Sequence, residues 1–313
     1  MLRMMPPELA RLLALLLATG CHAPTTDRAP LEPTSEAPAK AVLDPAQKYS
    51  VRVGRPLKVG ERYRTRVRET VQIDERTQIE GEPDTVSRDR EERIFEGTGK
   101  VTAVDAEGVE KAFEYRVGKL VSVVKGKELR LSEGATIRVV RAATPEEATV
   151  EIDGRAATPD ERNAVSFFVS LTREAASEDS IFGSREPVRV GDKWRPNLEA
   201  FLKGSELVIP RDGVTGSMQL VGIRRSSLGD LREVRFEVSI TNPLPKDLPP
   251  DAEPGPGSAT QVITGAIMPD GLRVESTSTS THHMELRFRR PKVKPSSFTY
   301  DETRTLEERL ELL

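Results

Sequence analysis

The chain has 313 residues, 47 Lys and Arg against 50 Asp and Glu, and 4% aromatic side chains. So even a balance supplies no basic stripe for nucleic acid and no strong argument for an anionic membrane patch. With a single cysteine, the chain can form no internal disulfide and no cysteine-led metal centre.

Arg3 and Arg11 make a positive N-terminal region, and Leu12 to Ala18 form an apolar run of about seven residues. A bilayer-crossing helix needs ~20 residues, so this run predicts a secretory export signal and not a membrane span. Ala18-Thr19-Gly20-Cys21 follows at once. Hydrophobic run, small residues and cysteine together resemble the lipobox of bacterial lipoproteins. The resemblance covers the signal region alone, and Ala18 stands where that pattern prefers leucine. It implies that residues 1–20 are removed as a signal peptide, that Cys21 is acylated, and that the mature protein is held to a membrane by its acyl chains. In two-membrane bacteria an aspartate after the cysteine favours retention at the inner membrane. Here His22 follows, which implies an outer-membrane protein facing the periplasm.

Residues 21–47 are rich in Pro, Ala, Thr and Glu and nearly free of large apolar side chains. Such a stretch buries too little surface to offset its ordering entropy, which predicts a disordered tether. Residues 48–313 then read as a β-rich domain. Period-two alternation is clearest from Arg62 to Ile73: Tyr63, Thr65, Val67, Val71 and Ile73 share one face, and Arg62, Arg64, Arg66 and Arg68 the other. Val109 to Val117 and Val234 to Ile240 repeat the pattern. Turn chemistry at 105–108, 124–127 and 268–271 joins such runs by short connections, which predicts antiparallel pairing.

Thr158-Pro159-Asp160-Glu161 is a capping box with proline in the first helical position. The apolar positions Ala164, Val165, Phe168, Leu171 and Ala175 extend the helix to about residue 177. That helix either covers a sheet or acts as a plug over a cavity in it.

Pro56-Leu57-Lys58-Val59-Gly60-Glu61-Arg62-Tyr63-Arg64 matches Pro187-Val188-Arg189-Val190-Gly191-Asp192-Lys193-Trp194-Arg195 in residue type at every position. The phrase also resembles a strand-entry motif of uncharacterised β-rich envelope lipoproteins. Two arrangements satisfy the pattern: duplicated β lobes at 48–154 and 181–313 joined by the helix at 158–177, or one curved half-barrel. Leu244 to Gly257 reads as an exposed proline-rich loop between two strands.

No catalytic constellation emerges. The histidines are His22, in the tether, and the adjacent pair His282 and His283, whose side chains point to opposite faces of a strand. That leaves no convergent metal ligands and no oriented base for a serine nucleophile. Gly97-Thr98-Gly99-Lys100 lacks the leading glycine and the hydroxyl of a phosphate loop. The pattern thus predicts a non-enzymatic binding module with no cofactor or metal. Its partner is a lipid or other apolar ligand held in a cavity lined by Phe113, Tyr115, Phe168 and Trp194. The alternative is an assembly partner for another envelope protein, and a hydrolase ranks third.

Overall fold

The computed structural model describes residues 46–313 apart from 107–108, 145–146, 173–176, 203–206, 211, 228, 246–247, 249–251 and 289–293. The signal, Cys21, nearly all of the tether and part of the turn at 105–108 lie outside the described residues.

Alternation builds the strands. In β1 (Arg62–Ile79) Tyr63, Thr65, Val67 and Val71 are all buried, while Arg64, Arg66 and Arg68 face out and pair with Glu311, Glu96 and Glu92. β1 leads by antiparallel pairing into β2 (Thr85–Val104), β3 (Glu110–Val124), β5 (Thr136–Val140), β6 (Thr149–Ile152) and β7 (Arg155–Ala156), with β4 (Lys127–Leu131) as a flap on β3. A second meander runs through β8 (Lys193–Trp194), β10 (Val214–Ser226), β11 (Gly229–Thr241), β13 (Ala252–Ile267), β14 (Arg273–Phe288) and β15 (Ser296–Leu312). β9 (Leu207–Val208) and β12 (Leu244–Pro245) pair with each other apart from it.

The meanders are one sheet, because β1 and β15 pair without a break from Tyr63 opposite Leu312 to Ile79 opposite Ser296. Among the described residues it has thirteen antiparallel strands and is open between β7 and β8. Each meander starts with the same turn. Gly60 and Gly191 hold φ of 87° and 94°, a conformation that favours glycine. The Gly60 N–H donates to Val101 O at 2.9 Å and the Gly191 N–H to Leu220 O at 2.7 Å. Glu61 and Asp192 each accept from the backbone N–H three residues earlier, at 2.6 and 2.8 Å. Tyr63 and Trp194 then enter the sheet at matching positions.

The helix differs from expectation at its end. The capping box forms, with Thr158 Oγ1 accepting from Glu161 N and Glu161 Oε2 from Thr158 N, but α1 spans only Pro159–Ser166. Phe167, Phe168 and Val169 are all buried, and three consecutive side chains cannot share the apolar stripe of a helix with a wet face. Two shorter helices follow, α2 (Glu178–Phe182) and α3 (Leu198–Leu202). The proline-rich stretch also differs: its second half belongs to β13. Pro254 and Pro256 fit there because β11 pairs with β13 only from Ser258 onward, leaving that segment an edge that needs no further donors.

Gly97 and Gly99 have a packing role. A Cβ at Gly97 would lie 2.5 Å from Arg116 O, and one at Gly99 2.5 Å from the Tyr63 ring. The run that superficially resembles a phosphate loop is therefore the bare patch of strand over which Phe95 and Tyr63 lie.

Candidate functional site

The three described helices cover one face of the sheet, and that inner face has three sectors. In the first, α1 and the run after it pack on β1, β2, β3 and β5. Phe168 stacks on Phe95 with centroids 3.7 Å apart and meets Tyr115 edge-on at 5.3 Å. Phe113 stacks on Tyr115 at 6.0 Å, and the Arg141 guanidinium lies 4.7 Å from the Phe113 centroid. The Tyr63 hydroxyl donates to that of Tyr115 at 3.1 Å, and burial pushes the Tyr115 phenol up to about 12.

The second sector lies on β10, β11 and β13, under Tyr49, Val51, Val53, α2 and α3. Trp194 belongs here, its indole N–H donating to Phe182 O at 3.0 Å. Three of the four expected lining residues, Phe113, Tyr115 and Phe168, thus meet in one cluster, and Trp194 sits in another. The rings of the first cluster fill the space between them. A cavity of about 20 Å³ does exist in the second sector, among Val53, Phe182, Met218, Phe236 and Ile263. That is room for about one water, and an apolar wall of this kind leaves it dry.

Between the apolar sectors runs a buried polar band. Glu69, on the inward face of β1, meets Arg93 Nη1 at 2.9 Å and Arg304 Nη1 at 3.2 Å. Arg93 also holds Glu91 at 2.8 Å, and Arg304 lies 3.4 Å from Glu302. The Tyr300 hydroxyl donates to Glu302, whose carboxyl is pushed up by burial against the opposing pull of Arg304. Farther along, Gln261 Nε2 donates to Ser278 Oγ at 3.2 Å. His282 is 4% exposed, and neither ring nitrogen has a hydrogen-bond partner among the described residues. Its neighbour His283 points outward to Asp301 at 2.7 Å. Nearby, Arg273 reaches Glu178 of α2 at 3.1 Å and Glu308 of β15 at 3.7 Å, and burial pushes the Glu308 carboxyl up to about 7.

Apolar counting misses this band, since it reads a charge in an alternating run as a solvent-facing position. Residue parity along β1 was the available signal: Glu69 falls in phase with Val67 and Val71. Among the described residues no three His, Cys, Asp or Glu side chains gather as metal ligands.

Burial lowers the His282 imidazole to about 4, with Arg304 acting in the same direction. Well above pH 6.5 the ring is neutral in both folded and unfolded states, so its protonation contributes nothing to stability. As pH falls towards 4 the unfolded chain takes up a proton that the fold refuses, so stability declines, by about 3 kcal/mol in full. Urea midpoints at pH 7 and 4.5 should therefore fall less for His282→Leu than for the unsubstituted chain. Equal declines would show that His282 is not held neutral.

Fold and site together define a large open antiparallel sheet whose inner face is filled by its own side chains. No family model and no curated protein matches the chain. Among solved structures, the toluene transporter TodX of P. putida aligns at 6% identity over 81% of this chain and 90% of its own, with a TM-score of 0.16. OccAB4 of Acinetobacter baumannii aligns at 9% identity over 81% and 99%, also at 0.16. Scores that low carry no shared fold.

Proposed function

We propose that this chain is a bacterial envelope lipoprotein, anchored through acyl chains on Cys21 at the outer membrane, that serves as a non-catalytic assembly partner for another envelope protein. The observation that carries this reading is the filled inner face. Small-molecule sites are clefts of roughly 300–1,000 Å³, against about 20 Å³ for the cavity among the described residues of the second sector. Binding then falls to the outer surface and the strand edges. The lipid-carrier alternative keeps one specific support: α1 and Phe168 occupy the place on the sheet that a ligand would take, so it requires that segment to lift away.

The test is the full chain, purified from membranes and measured by native mass spectrometry before and after organic extraction, alongside photo-crosslinking in whole cells. The expected result is a mass carrying covalent acyl groups only, with a discrete crosslinked protein. A stoichiometric lipid released by extraction, and lost in Phe168→Asp, would overturn the assembly reading in favour of the carrier.

A further inference from the structure

The outer arginines of the sheet are mostly neutralised: Arg64, Arg66, Arg68, Arg76, Arg88, Arg225 and Arg287 each face a carboxylate. The edge of the sheet at β8 is different. Arg185, Arg189, Lys193 and Arg195 are exposed within eleven residues, and none of them has an ion pair among the described residues. Glu186 and Asp192 lie in the same exposed run, so it carries four cations against two carboxylates, a net excess of positive charge. Two exposed valines lie among these cations. Val190 is 38% exposed and Val221 50%, and the Gly191 N–H to Leu220 O bond brings their backbones together.

The chain coming from Cys21 arrives at this same edge. Tyr49 exchanges two backbone hydrogen bonds with Val188, at 2.7 and 2.9 Å, and exposed Lys48 precedes it. Tyr49 stands 28 positions beyond Cys21 (49 − 21), so the point where the chain joins this edge can never lie more than ~100 Å from the anchored cysteine. An anchored chain meets its own membrane in an intramolecular event, for which a weak patch suffices. Cations at headgroup depth beside small apolar side chains are the composition that an anionic leaflet holds, each cation contributing about fivefold.

We propose that the β8 edge, from Arg185 to Arg195 with Val221, docks on the anionic bilayer that carries the acyl chains. This rests on the lipid-anchor reading above.

Cys21 is the sole cysteine, so once it is acylated an introduced cysteine is the one thiol available to a maleimide. Full-length Val190→Cys and Val86→Cys chains, the latter at the far tip of the β1–β2 hairpin, would carry a polarity-sensitive dye in reconstituted vesicles. On vesicles of phosphatidylglycerol and phosphatidylethanolamine the dye at 190 should shift to the blue. The shift should vanish on pure phosphatidylcholine, in 1 M salt, and when Arg185, Arg189, Lys193 and Arg195 are all changed to Gln. The dye at 86 should stay wet throughout. An acylated chain with the dye at 190 equally wet on every vesicle, or shifted equally at 86, would overturn the docking alone. If the unsubstituted chain reacts with maleimide at a free Cys21 thiol, the anchor itself is overturned and the docking falls with it.

Discussion

Phe168→Ala should destabilise the fold by about 3–5 kcal/mol, the range for emptying a well-packed aromatic site. Phe168 is 6% exposed, and its ring lies flat on Phe95, which is fully buried, while Tyr115 and Phe167 close its edges. The glycines beneath make the space permanent. Gly97 leaves the Phe95 ring no room to drop, since even a methyl group there meets Arg116 O and the ring itself. The void left by alanine therefore cannot be closed by collapse of the strand. α1 adds to the cost, because the residue that seats it on the sheet is lost. Urea unfolding of the full chain followed by circular dichroism measures the effect. Val86→Ala, at a 54% exposed position, should change the midpoint hardly at all and serves as the reference. Similar midpoints for the two variants would show that the run after α1 is not packed on β2 and β3.

What the sequence reveals and what it hides follow from the range of the interactions. Alternation is local, so Tyr63, Thr65, Val67 and Val71 are assigned to the inner face correctly from sequence alone. The capping box is local as well, and the start of α1 is legible to the residue. Its end is not, because what stops it is burial of Phe167, Phe168 and Val169 from all sides, a tertiary effect. α2 and α3 have five residues each, too few to display a 3.6-residue period. The continuity of the sheet depends on β1 finding β15, partners from opposite ends of the domain, and nothing local announces it. The site divides in the same way. Phe113, Tyr115 and Phe168 are apolar neighbours on one face and come together, whereas Trp194 shares with Tyr63 a place in a repeated turn and thus belongs to the other meander. Charge balance hides the most. A near-zero sum conceals that most cations are matched on the sheet surface, that a few of each sign are sealed inside it, and that a short run with more cations than carboxylates remains at one edge.

Glu69→Ala should cost about 3–5 kcal/mol, although no apolar packing is lost. The carboxylate is 2% exposed and faces two guanidiniums, Arg93 at 2.9 Å and Arg304 at 3.2 Å. Its removal leaves two cations in the interior with Glu91 and Glu302 as their remaining counter-charges. Glu302 is a poor substitute, since burial already drives it towards its protonated form and Tyr300 holds one of its oxygens. Glu92→Ala supplies the comparison. Its partner Arg68 lies at 2.8 Å, but both side chains are about a third exposed, and a solvent-screened pair of that kind is worth less than about 1 kcal/mol. Two pairs of nearly equal length should thus differ severalfold in cost, set by burial and by the second guanidinium, Arg304, that Glu69 also faces. A double-mutant cycle combining Glu69→Ala with Arg93→Ala separates the pair from the penalty of a stranded charge. If the second substitution restores part of what the first removes, the cost lies in the orphaned guanidinium. If the two losses simply add, Glu69 and Arg93 do not interact. Replacing Glu69, Glu91, Arg93, Glu302 and Arg304 together by apolar side chains of similar volume should then come closer to the original stability than Glu69→Ala alone, because no buried charge is left without a counter-charge. What such a variant would lose is register. Along β1, β2 and β15 the matched charges penalise any one-residue slip that would carry a buried cation to an apolar neighbour. Three long strands with few aromatic side chains have little else on this part of the inner face to fix their alignment.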